Sequence, residues 1–127
     1  MTIQEKDKFN GMLRERTLTM AVNVYSLFQS KMFNQLTRPM VNQVIRSSSS
    51  VAANTSAATR ARSNAEFFSK ICIVTEECDE TCFWLEYLRR INVFTNDEIK
   101  TIQDEVCQLV RIFSSIKTNM KGKIEAN

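Results

Sequence analysis

Cys78 and Cys82 stand four residues apart, with Cys72 a little under two helical turns upstream, and thiolates at that spacing could hold a soft metal ion. The same segment also reads Phe67, Ile71, Val74, Cys78, Cys82, Leu85 and Leu88, one continuous apolar stripe. Cys78 and Cys82 are therefore read as core side chains, and so is Cys107 beside Val106. Glu76 and Glu80 are also four apart, and inward-facing carboxylates in a helical bundle can build a di-iron site. Such sites draw Glu-x-x-His motifs from two helices, and the chain has no histidine. These acids are better read as partners of arginine on a solvent or subunit face. The run Ser47 to Ser50 offers hydroxyls, but no nearby His or Lys activates one and no donor pair awaits an oxyanion. No catalytic residue, metal, cofactor or enzymatic activity follows from these residues.

The elements that must position these side chains are helices. Among 127 residues there are two glycines, Gly11 and Gly122, both near the termini, and one proline. No glycine-rich loop can cradle a phosphate, and an all-β chain would need far more turn residues. Leu13, Thr17, Met20, Val24, Leu27 and Met32 recur at helical spacing, with Tyr25 and Phe28 widening that face. Thr37 is an N-cap candidate with Pro39 in the first turn. Ser63 with Glu66, and Thr95 with Glu98, form capping boxes ahead of apolar runs. Ile99, Ile102, Val106, Leu109, Phe113, Ile116 and Met120 then alternate by threes and fours. The expected helices span about 12 to 32, 38 to 60, 64 to 92 and 96 to 120. Short connections make neighbours antiparallel, so the expectation is all-α, a single up-down four-helix bundle over residues 1–127. Residues 1–9 lack the apolar stretch of a secretory signal, and no run reaches the roughly 18 apolar residues of a membrane span. A cytoplasmic protein with free thiols and no membrane contact is expected.

Ser47 to Thr59 has the composition of a linker, yet it contains neither Gly nor Pro. Val41, Val44, Ser48, Val51 and Thr55 continue one face through it, so it is read as a helix whose small residues admit a close neighbour. Charge is uneven: residues 37–62 hold Arg38, Arg46, Arg60 and Arg62 and no acid, whereas residues 63–92 hold six acids against three bases. The two segments can pair across a helix contact. Alternatively the arginines, with Lys117, Lys121 and Lys123, present a basic surface to nucleic acid. Trp84 and Tyr87, with Ile73, Phe83 and Ile91, form a second apolar strip on the third helix, which points to self-association.

Three segments carry a family resemblance: Val44-Ile-Arg-Ser-Ser-Ser-Ser-Val-Ala-Ala-Asn-Thr-Ser-Ala-Ala, then Arg60-Ala-Arg-Ser-Asn-Ala-Glu-Phe-Phe, then Glu80-Thr-Cys-Phe-Trp-Leu-Glu-Tyr-Leu. In order and spacing they resemble the bacterial 23S ribosomal RNA intervening-sequence proteins, over about residues 12 to 118. The resemblance implies a left-handed bundle assembled into a ring, commonly a pentamer. It is also similar to the accessory variability proteins of diversity-generating retroelements, where a basic pentamer engages reverse transcriptase and nucleic acid. The positions that transfer are Arg46, Asn54, Arg60, Ser63, Glu66, Phe67, Glu80, Trp84 and Leu85. Where the family usually carries an acid after Asn-x-Ala, this chain has Ala57. The resulting expectation is a homo-oligomeric adaptor for RNA or DNA and a nucleic-acid-processing protein. Arg38, Arg46, Arg60 and Arg62 are its expected phosphate contacts, and Asn54, Ser63, Glu66, Phe67, Glu80, Trp84, Leu85 and Tyr87 its expected oligomer-interface or family-motif residues. The alternative is a protein-assembly module with no nucleic-acid binding.

Overall fold

The computed structural model describes residues 1–126. Four helices, α1 (Ile3–Gln29), α2 (Arg38–Ala58), α3 (Asn64–Arg90) and α4 (Asn96–Ala126), account for 84% of them, and no strand occurs among the described residues. Each helix packs on its sequence neighbours, and α4 closes back on α1. That arrangement is an all-α, up-down antiparallel four-helix bundle. The α2–α3 pair is the most extensive and α1–α4 the least.

Local chemistry explains the helix ends. At Thr2 a capping box forms in which the Thr2 hydroxyl accepts from Glu5 N–H and Glu5 accepts from Thr2 N–H, both at 3.1 Å. The first helix consequently starts at Ile3, well before the expected position near 12. Residues 3–8 are exposed on every side, so apolar periodicity carried no sign of this turn. The same reason extends α4 beyond the expected end at 120. Met32 lies past the end of α1 and is fully exposed, and Tyr25 is 56% exposed, so neither belongs to the buried face. Thr37 occupies the N-cap of α2 but its side chain makes no capping bond. Its own N–H donates to Asn34 Oδ1 at 2.9 Å, so Asn34 closes that turn instead.

Thr95 and Glu98 complete the second expected box at 2.8 and 3.2 Å. Ser63 caps Glu66 N–H at 3.1 Å, but Glu66 turns its carboxylate to Arg62 and the reciprocal bond is absent. Between α3 and α4, Asn92 adopts φ 64°, with Val93 N–H donating to Leu88 and Asn92 N–H to Arg89. This is a Schellman turn in which asparagine takes the left-handed position usually given to glycine.

The serine-rich run is helical throughout and lies against α3. Val41, Val44, Ser47, Ser48, Val51, Thr55 and Ala58 are its buried residues. Burying hydroxyls is tolerable where each finds an acceptor. Thr81 donates to Ser47 Oγ across the α2–α3 contact at 2.7 Å, and Thr75 donates to the Ile71 carbonyl at 2.7 Å. Among buried side-chain polar atoms of the described residues, only Thr55 Oγ1 has no partner. At one end of the bundle Phe28, Phe33 and Phe94 pack with ring centroids 4.8 to 6.0 Å apart and close it. No described helix is long and apolar enough to cross a membrane.

Thr55→Val replaces an unpaired buried hydroxyl by an isosteric methyl and is expected to raise stability by about 1 kcal/mol. Thr81→Val removes the bond across the α2–α3 contact, leaving Ser47 only its 3.4 Å bond to the Val44 carbonyl, and should lower stability by a similar amount; urea denaturation of both variants measures the contrast.

Candidate nucleic-acid interface

Arg38 and Arg46 lie eight residues apart on the outward side of α2, about 80° apart around its axis at 100° per residue, and Arg60 lies just past the Thr59 C-cap. At 1.5 Å per residue Arg38 and Arg46 are about 12 Å apart along the axis. Arg38 is exposed and donates to the Phe33 carbonyl at 3.2 Å. Arg60 is exposed and makes no ion pair among the described residues. Arg62 follows the helix, and only its Nε is engaged, 3.4 Å from Glu66. Arg38 opens α2 and Arg60 follows its far end, about 30 Å away at 1.5 Å per residue, so the arginines form a stripe and not a cluster.

Arg46 is different. Its Nη1 lies 2.8 Å from Glu77 and its Nη2 2.6 Å from Glu80, while Nε donates to Gln43 at 3.2 Å. Every nitrogen of the guanidinium is engaged, which is the charge pairing across the helix contact that the sequence offers as the alternative to a phosphate contact. The hydrogen bond from Arg46 holds the Glu80 carboxyl below its ordinary range. Glu77, not Glu76, is the second partner: position 77 sits on the α2 side of α3, whereas Glu76 is exposed and unpaired among the described residues. Sequence spacing alone drew attention to Glu76 and missed Glu77.

The motif residues divide by role. Leu85 is fully buried in the core and cannot reach a partner subunit. Phe67 is half-buried against the core, and Ser63 and Glu66 shape the start of α3. Asn54 donates to the Ser50 carbonyl and hydroxyl, both at 3.0 Å, within α2. Trp84, Tyr87 and Phe83 do come together, with centroids 4.9 to 6.3 Å apart; Trp84 is half-buried against the core and Phe83 is 58% exposed. A second apolar strip escaped the sequence reading: Leu18, Val22 and Tyr25 on α1 are each more than half exposed. With Ala52 and Ala53 they line a groove of about 660 Å³ between α1 and α2. The signal was present in these three residues, but helical spacing could not tell an outward apolar strip from a widened core face.

Cys78 is buried and Cys82 half-buried, as the stripe implied. Cys82 Sγ lies 3.6 Å from Cys107 Sγ, a proximity no spacing could reveal. Burial pushes the Cys78 thiol up to about 12 and the Cys82 thiol up to about 11, which disfavours the thiolates a metal would need. Among the described residues no group of three His, Cys, Asp or Glu side chains is placed to hold a metal ion.

Residues 12–115 match the family model described as 23S rRNA-intervening sequence protein. The chain belongs to this family. A solved structure from the S23 ribosomal protein family of Bacteroides thetaiotaomicron, a protein of unknown function, is 28% identical. It superposes with a TM-score of 0.71, covering 83% of this chain and 97% of its own. No curated protein matches. The intervening-sequence match contains the whole arginine stripe, the Arg46 ion pairs and the α3 aromatic strip, and it leaves out the first turns of α1 and the last turns of α4.

Carboxylates in ion pairs make stability depend on pH. Hydrogen bonding from Arg89, reinforced by Gln103 and Arg90, lowers the Glu86 pKa from 4.5 to about 2. Its folded value lies below its unfolded one, so its stabilisation is complete above pH 4.5 and drains away as pH falls toward 2. Glu80 contributes in the same direction. The thermal midpoint is expected to drop across this window, and Glu86→Gln should flatten the fall, as Arg46→Ala should for the Glu80 share.

Proposed function

We propose that this chain is a non-enzymatic bundle that assembles with copies of itself into a ring and binds RNA or DNA as an adaptor. The observation that carries the reading is the outward face of α2. Residues 37–62 hold four arginines and no acid, and Arg38 and Arg60 make no ion pair among the described residues. Membership of a family named for ribosomal RNA intervening sequences agrees with a nucleic-acid partner. Arg38, Arg60 and Arg62 are the phosphate contacts of this proposal, and Arg46 acts through the α2–α3 ion pairs that hold the stripe in place. A ring repeats the stripe around its axis and multiplies a monomer charge of only +3.

Phosphate binding at several sites weakens with salt, the log affinity falling by about 0.7 to 0.9 per phosphate neutralised. Fluorescence anisotropy with a labelled RNA from low to physiological salt is expected to show this slope. Arg60→Glu with Arg62→Glu should weaken binding and reduce the slope by about 1 for each arginine replaced. Absence of binding even at low salt overturns the nucleic-acid reading.

Self-association is supported by the two exposed apolar strips on either side of α2. A single bundle buries one stripe per helix and has no use for a second. Light scattering at micromolar concentration is expected to give a mass several times that of the 14.7 kDa chain. Phe83→Glu with Tyr87→Glu should reduce it to the monomer with helix content intact. A monomeric unaltered chain rules the ring out. The Arg46 ion pairs favour a second reading, an assembly module alone, which predicts the multimer with no RNA binding at any salt.

A further inference from the structure

The two ends of the bundle differ. One is closed by Phe28, Phe33 and Phe94, whereas the other opens into a cavity of about 610 Å³ among the first turns of α1 and α3, the end of α2 and the last turns of α4. Its apolar wall includes Phe9 and Phe67, both only partly buried. Three cations border it, Lys6, Arg62 and Lys123, each from a different segment of the chain, and no carboxylate lines it. Lys6 and Lys123 make no ion pair among the described residues, and the terminal nitrogens of Arg62 are unengaged. Two helix N-termini and two C-termini meet at this end, so the helix dipoles offset one another and the side-chain cations set the sign of the potential. Ser63 and Asn64 also line the cavity, where the start of α3 leaves N–H groups without intrahelical acceptors. Asn10 and Asn119 add amides able both to donate and to accept.

An apolar aromatic wall beside three cations, of which only Arg62 has a carboxylate neighbour, Glu66 at its Nε, fits a ligand that is flat and apolar at one end and multiply anionic at the other. We propose that this cavity binds a 5′-phosphorylated nucleoside, its phosphate held by Lys6, Arg62 and Lys123 and its base against Phe9 and Phe67. The ligand is either a free mononucleotide or the 5′-phosphorylated end of a strand. In the second form the proposal rests on the nucleic-acid reading above and gives it an end preference. Lys6 and Lys123 lie outside the residues the family model matches, so the site belongs to the extensions of α1 and α4 in this chain.

The test compares one oligonucleotide carrying a 5′-phosphate or a 5′-hydroxyl, and adenosine 5′-monophosphate against adenosine, by anisotropy and calorimetry with the full chain. Exposed charge contacts are modest singly, so three together are expected to favour the phosphorylated end by about tenfold. Lys6→Glu with Lys123→Glu, both exposed and remote from the core, should abolish that preference, whereas Lys100→Glu near the start of α4, at the closed end, should leave it. If the monophosphate binds and the oligonucleotide ends do not differ, the site serves the free nucleotide. Equal binding of both ends with no monophosphate binding overturns the inference while leaving nucleic-acid binding standing. Retention of the preference in Lys6→Glu/Lys123→Glu overturns the location. Failure of every probe to bind overturns the inference and the nucleic-acid reading together.

Discussion

The structure depends on how closely α2 can approach α3. That approach is possible because the buried face of α2 is made of Val, Ser, Thr and Ala, with no side chain longer than valine between Val41 and Ala58. Small hydroxyls ordinarily disfavour helices because they compete for backbone hydrogen bonds. Here the competition is turned inward: Thr81 bonds Ser47 across the contact, and Thr75 returns a bond to a carbonyl of its own helix. The contact becomes tight and polar at once, and it sets the register of the two helices.

The register determines the electrostatics of the surface. Because Ser47 meets Thr81, Arg46 falls opposite Glu77 and Glu80 and is neutralised there. Arg38 at the start of α2 and Arg60 just past its end lie beyond the acids' reach and make no ion pair among the described residues. The acids of α3 thus leave an outward face of arginines and small residues flanked by apolar strips from α1 and α3.

The ends of the bundle are governed by different chemistry from its sides. Three phenylalanines from α1, from the loop after α1 and from the loop after α3 seal one end. At the other, α1 and α4 run on as solvated helices past the core and leave a cationic cavity open between them.

Much of this was legible in the residues. The near absence of glycine and proline, the three-four spacing of Ile99 through Phe113 and the Thr95–Glu98 box determined an all-α bundle and most helix boundaries, because helix formation and capping are decided by side chains within one or two turns. The serine run was legible as a contact surface for the same reason. The start of α1 at Ile3 was not, since a helix turn with no buried face leaves no periodicity. Nor could sequence say that Tyr25 faces outward, that Glu77 rather than Glu76 meets Arg46, that Cys82 lies beside Cys107, or that Lys6, Arg62 and Lys123 share a cavity. Each depends on how one helix is rotated and shifted against another. That rotation is set by the sum of many small packing contacts between residues far apart in the chain, and only the tertiary structure decides it.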